Sequence, residues 1–177
     1  MSAFCRDETG AWHNCQMSSK SVNPLDFTPA GRLGEASLRR VLGYQLAQAR
    51  IVTDAIFDAE VASPLQLRPV EYTVLTLIAE NPGGSPARLA RALAVTAPNI
   101  TALLDRLEAR ELIDRKASDN DRRSQVLAVT RKGAELARKA TNRIVAAEHS
   151  ALSLTPGEQA ILTELLHKVA CARDASR

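Results

Sequence analysis

A chain of 177 residues, 45% apolar but only 3% aromatic, has room for one domain with an aliphatic core, which excludes a wholly disordered protein. No apolar run reaches bilayer length, the N-terminus lacks a signal peptide's apolar segment, and three cysteines are too few for a disulfide scaffold; a soluble cytoplasmic protein, with no membrane partner, is expected. The net charge is +3 and the surplus is local: residues 85–132 carry ten Lys/Arg against six Asp/Glu, the footprint of a nucleic-acid binder.

Residues 1–33 show no sustained period and are rich in Ser, Thr, Asn, Gly and Pro, so a flexible N-terminal tail is expected there. From Leu38 a stripe of Leu38, Leu42, Leu46, Ala49, Val52 and Ile56 predicts a helix. Val41, Tyr44, Ile51 and Ala55 widen its apolar face beyond the needs of one core, which points to burial against a second chain. Ser63-Pro64 is expected to end it. Pro69 then suits the first turn of a helix bearing Val74, Leu75, Leu77 and Ile78, and Asn81-Pro82-Gly83-Gly84 breaks the chain again.

Two short helices come next. Ser85 and Pro86 open the first, Ala87 to about Leu93; Ala94-Val95 is the turn; Thr96 caps a second with Ile100, Leu103, Leu104 and Leu107 on one face. This is a helix-turn-helix. Leu112-Ile113-Asp114-Arg115-Lys116 and Gln125 to Thr130 read as strands around a polar turn at 117–124, a hairpin that would make the unit a winged helix. A long helix is expected from about Arg131 to Leu152. Thr155-Pro156-Gly157-Glu158 is a capping box for a last helix expected to bury Ile161, Leu162, Leu165, Leu166 and Val169.

Thr96, Pro98, Asn99, Thr101 and Ala102 fall off the apolar face of the second short helix and are candidates to touch DNA. Asn reads adenine bidentately and Thr bonds a base edge or meets a thymine methyl. Arg122 and Arg123 at the hairpin tip can enter a minor groove, while Arg88, Arg91, Arg106 and Arg110 are candidate phosphate contacts or solvated helix charges. Asp119 and Asp121 would shape the turn; a calcium loop is disfavoured because the full ligand spacing and terminal Glu are missing. No metal or cofactor is expected. An enzyme is disfavoured, since no phosphate-binding Gly-rich loop, HExxH helix or nucleophile elbow occurs.

The order of parts resembles the MarR family of bacterial transcriptional regulators over roughly residues 38–170. The matching residues are Leu89-Ala90, Val95-Thr96, Leu104 through Leu107, Leu112-Ile113-Asp114-Arg115, Asp119-Asn120-Asp121-Arg122-Arg123 and Val129-Thr130-Arg131-Lys132-Gly133. The resemblance implies a mainly α fold with a small β-hairpin: a winged helix-turn-helix DNA-binding domain at 67–130, and a helical dimerisation region at 34–66 and 131–177. It further implies a homodimer on double-stranded, palindromic operator DNA, repressing transcription until a small aromatic or phenolic effector releases it. In family terms Arg123 would also brace the wing through Asp105, and the effector pocket would draw on Tyr44, Arg50, Phe57 and Tyr72. Two departures stand out. Arg68 replaces the usual hydroxyl cap, and Glu111 replaces Gly after the second short helix, at about 1 kcal/mol if its backbone is left-handed. Alternatives are a redox-sensing regulator using Cys5, Cys15 or Cys171, and a winged-helix adaptor for proteins.

Overall fold

The computed structural model describes residues 3–6, 12–15, 26–117 and 125–173. The chain divides into two units, residues 1–50 and 51–177.

In the first unit, β1 (Ala3–Arg6) pairs antiparallel with β2 (Trp12–Cys15), where the sequence predicts no regular element. Strands of four residues are too short for a period of two to stand out from background. Their register sets Cys5 opposite His13 and Cys15 opposite Ala3, so the two cysteines are not cross-strand partners. Residues 36–41 form tight turns, with Leu38 N–H on Glu35 O at 2.8 Å and Val41 N–H on Leu38 O at 2.8 Å. The regular helix α1 therefore starts at Leu42, not Leu38, and runs to Phe57.

In the second unit that helix does not stop at Ser63-Pro64. It widens into a π-helical turn, Asp58–Ala62, in which Ser63 N–H reaches back five residues to Asp58 O, and continues as α2 (Ser63–Leu65). Pro64 has no N–H to give Glu60, and its ring would crowd that carbonyl in a regular helix; the wider turn accommodates it. The end comes at Gln66, in the left-handed region at φ +50°.

α3 (Pro69–Glu80), α4 (Pro86–Leu93) and α5 (Ala97–Ala109) follow, then β3 (Ile113–Ala117), β4 (Gln125–Val129), α6 (Arg131–Ala151) and α7 (Pro156–Cys171). β3 and β4 are antiparallel, with Ile113 opposite Val129 and Arg115 opposite Leu127. Gly83 and Gly84 extend this small sheet by backbone bonds to Leu127, at 3.3 and 3.0 Å. Val74, Leu75 and Ile78 from α3, Ile100, Leu104 and Leu107 from α5, Leu112, Ile113, Leu127 and Ala140 close one aliphatic core. No helix among the described residues is long and apolar enough to cross a membrane.

The apolar side of α7 differs from expectation. Ile161, Leu162, Leu165, Leu166 and Val169 are 41–58% exposed rather than packed on the core. Helical period identifies which residues share a face but not what covers that face.

Candidate nucleic-acid interface

Local sequence signals build the helix-turn-helix. Ser85 Oγ accepts the Arg88 N–H at 3.4 Å at the start of α4, and Ala94 ends it in the left-handed region at φ +53°. Val95 N–H then bonds Ala90 O at 3.0 Å, which turns the chain into α5. Thr96 holds the N-cap position in extended backbone, but its side chain makes no cap hydrogen bond, contrary to the expected role. Its hydroxyl thus stays open to solvent at the N-terminal end of α5.

The two faces of α5 separate as predicted. Ile100, Leu103, Leu104 and Leu107 are buried, whereas Thr96, Pro98, Asn99, Thr101 and Ala102 are exposed. Thr101 Oγ1 donates to Ala97 O at 3.0 Å, which uses its hydroxyl proton within the helix while the residue stays exposed. Arg88 is exposed on α4. Arg122, Arg123, Asp119 and Asp121 lie outside the described residues.

Asp105 already has a partner: the Arg115 guanidinium of β3 is seated on it, with Arg115 Nε 3.1 Å from Glu108 Oε2. The strand leading into the wing is thereby clamped to α5 from its own base. The sequence carries a signal for this, because Arg115 shares strand parity with buried Ile113 and an inward charge demands a carboxylate.

Arg106, a candidate phosphate contact, donates through Nε to Glu71 Oε1 at 3.0 Å. Glu71, on α3, is buried, and its Oε2 accepts the Arg68 N–H at 3.1 Å. That bond is the glutamate half of a capping box and satisfies the Arg68 N–H, and the Glu at the third helical position was the available sequence signal. Arg110 Nη1 lies 3.8 Å from Glu71 Oε2 and donates to Gln66 O at 2.8 Å, capping α2.

The aromatic residues expected around an effector are divided. Phe57 and Tyr72 meet with ring centroids 5.8 Å apart, and the Tyr72 hydroxyl shares a hydrogen bond with Thr141 at 2.9 Å. Tyr44 and the exposed Arg50 belong to the first unit. Tyr44 Oη donates to Glu35 Oε2 at 2.5 Å, and this bond to a carboxylate raises the phenol's pKa above its ordinary value. Cys171 Sγ lies 3.6 Å from His167 Nε2, one helical turn away on α7, an i, i+4 pairing that the sequence did contain. No group of three or more His, Cys, Asp or Glu among the described residues could hold a metal ion.

Residues 65–124 match the profile of the MarR family. The HTH-type transcriptional repressor NicR of Pseudomonas putida is 30% identical over 154 residues, 86% of this chain and 92% of NicR. Among solved structures, the transcriptional repressor CouR bound to a 23-mer DNA duplex superposes with TM-score 0.71 at 32% identity, over 78% of this chain and 98% of CouR. A mutant MarR from E. coli complexed with operator DNA gives 0.63 at 26% identity, over 72% and 92%.

Proposed function

The chain belongs to the MarR family of transcriptional regulators, and from that premise we propose that it is a homodimeric repressor that binds a palindromic operator and leaves it when a small aromatic or phenolic ligand arrives. The observation that carries this reading is the outward stripe of α5, where Thr96, Pro98, Asn99, Thr101 and Ala102 stand exposed beside an open helix N-terminus. Such a face presents base-reading side chains to a major groove, and the free amides of the helix end favour a phosphate. Arg88 positions the lobe on the backbone, and Arg122 and Arg123 reach the flanking minor groove.

The solved CouR and E. coli MarR structures hold DNA, which supports the same use of this fold here. Dimerisation is supported by the uncovered apolar residues of α7 and by Leu42, Leu46, Ile51 and Val52 on α1. Phe57 and Tyr72 offer aromatic faces for an effector.

The test is fluorescence anisotropy with DNA from upstream of the protein's own gene, over a salt series. Binding should weaken steeply with salt, and Asn99→Ala should weaken it by about 5- to 150-fold, the value of one bidentate base contact. Binding that neither responds to salt nor prefers this DNA over random DNA rejects the proposal.

A redox-responsive variant of the reading rests on the Cys171–His167 contact. Peroxide-dependent loss of DNA binding that Cys171→Ser abolishes would favour it over ligand release.

A further inference from the structure

Two roles compete for Arg106: a contact to DNA phosphate, or a link in the protein's own scaffold. We propose that Glu71 is a positioning residue for DNA reading, whose buried carboxylate holds Arg106 and so fixes the angle at which α5 presents Thr96, Asn99 and Thr101. The inference rests on the regulator reading above and adds to it a residue remote from the DNA face.

The geometry is specific. Glu71 is 6% exposed at its side chain, while Arg106 is 47% and Arg110 35% exposed. Both carboxylate oxygens are engaged: Oε1 by Arg106 Nε at 3.0 Å, Oε2 by the Arg68 N–H at 3.1 Å. A buried carboxylate that loses its hydrogen-bonded guanidinium is disfavoured, and surrendering Arg106 to a phosphate would leave Oε1 without its donor, with Arg110 Nη1, 3.8 Å from Oε2, as the remaining cation. Arg110 Nη1 is bonded to Gln66 O at 2.8 Å and lies by Oε2, so its charge is shared with Glu71 but it does not supply the hydrogen bond that Arg106 gives Oε1.

Arg106 also lies seven residues beyond Asn99, about two helical turns, so the two share one stripe of α5. A rotation of α5 that swings Asn99 therefore also carries Arg106, and the Glu71–Arg106 bond at 3.0 Å resists it. Glu71 stands on α3, whose Val74, Leu75 and Ile78 are in the core, and Arg68 and Leu67 hold its N-terminal end. The carboxylate thus refers the reading helix to a second helix of the same core. The open side of Arg106 borders a cleft of about 480 Å³, which leaves the rival phosphate role sterically available and makes the choice an experimental one.

The full chain is used to enrich duplexes from a random-sequence pool. The enriched duplex and a scrambled duplex of equal composition are then titrated over a salt series with wild type, Glu71→Gln, Arg106→Lys, Arg106→Gln and the Glu71→Gln/Arg106→Gln double variant. Lysine keeps the charge but has no Nε–H to place on Glu71. The expected result is a loss of about tenfold on the enriched duplex for every single variant. Affinity for the scrambled duplex and the salt slope should hold, and the double variant should be no weaker than the weaker single.

If instead Arg106→Gln weakens both duplexes alike, lowers the slope by about one, and Arg106→Lys behaves as wild type, Arg106 is a phosphate contact and the proposal is overturned. Should Glu71→Gln fail to fold, as read by its circular dichroism melt, the Lys and Gln variants of Arg106 decide alone. Enrichment with Glu71→Gln and Arg106→Lys both behaving as wild type overturns the positioning role while sparing the regulator reading. A pool in which nothing is enriched overturns both.

Discussion

Arg115 of β3 is clamped to Asp105 of α5, and the two sides of this pair differ in exposure: 14% for the arginine side chain against 60% for the aspartate. The guanidinium is the member with more to lose. Removing Asp105 leaves a nearly buried cation with Glu108, at 3.1 Å, as its remaining ion-pair partner among the described residues. Solvent around Asp105 screens part of the attraction, so Asp105→Ala should destabilise by about 1 kcal/mol in urea unfolding. Asp114, the exposed neighbour of Arg115 in the same strand, is the control, and Asp114→Ala should stay within about 0.5 kcal/mol of wild type. Equal effects at the two positions would show that the clamp contributes nothing of its own.

Gly133 is fixed by close approach rather than by backbone conformation. A Cβ there would lie 2.0 Å from Leu112 O and 3.0 Å from a Val129 methyl. The first turn of α6 is pressed onto the end of the α5–β3 connection, where Thr130 Oγ1 accepts the Gly133 N–H at 3.0 Å and donates to Glu111 O at 2.8 Å. Backbone cannot yield as a side chain can. Gly133→Ala should therefore cost about 3 kcal/mol or more, at or above the upper end for overpacking, visible as a large drop in the urea midpoint. A variant as stable as wild type would mean that α6 can shift freely on Leu112.

Glu111 occupies the left-handed region at φ +59°, the conformation expected if the chain keeps its turn without the usual glycine. Lys132 Nζ lies 3.2 Å from Glu111 Oε2, but both side chains are mostly exposed, so this pair returns little. Glu111→Gly should stabilise by up to about 1 kcal/mol. Lys132 Nζ also donates to Arg110 O at 2.9 Å, so a Lys132→Ala control, expected to cost up to about 1 kcal/mol, sets an upper bound on what the ion pair contributes. Loss of stability in Glu111→Gly would mean that the pair outweighs the strain.

These three sites mark where the sequence is readable and where it is not. Pro69, Ser85-Pro86 and Thr155 announce helix starts because first-turn proline and capping chemistry are local, and the structure starts α3, α4 and α7 beside them; Thr96 marks the start of α5 by position, without a side-chain cap bond. The buried face of α5 is equally legible, since a period of 3.6 is a property of one helix. Arg106 with Glu71 is another matter. Thirty-five residues separate them, and no local rule pairs a given arginine with a given carboxylate across that span. The π-helical turn at Asp58–Ala62 was hidden for a related reason: Pro64 reads as a stop, whereas the chain relieves it by widening the preceding turn. The wing tip, with Arg122 and Arg123, lies outside the described residues, so its role rests on residue chemistry and family resemblance.

The last prediction concerns α7. Leu162, Leu166 and Val169 follow a spacing of four and three along one side of the helix and are 42%, 41% and 51% exposed. Leu162 and Leu166 are already more than half covered, so closing each contributes on the order of 1 kcal/mol, and a partner chain gains by covering the whole stripe together. In sedimentation equilibrium the wild type should behave as two 19.1 kDa chains. Leu162→Glu/Leu166→Glu should sediment as one chain with its helical circular dichroism retained, because neither residue belongs to the buried core. The same variant should lose affinity for a duplex carrying two half-sites far more than for one carrying a single half-site, since linking two reading heads multiplies affinity only while they stay joined. A wild type of single-chain mass would remove the homodimer from the proposed function. A variant that still sediments as two chains would move the interface away from this stripe.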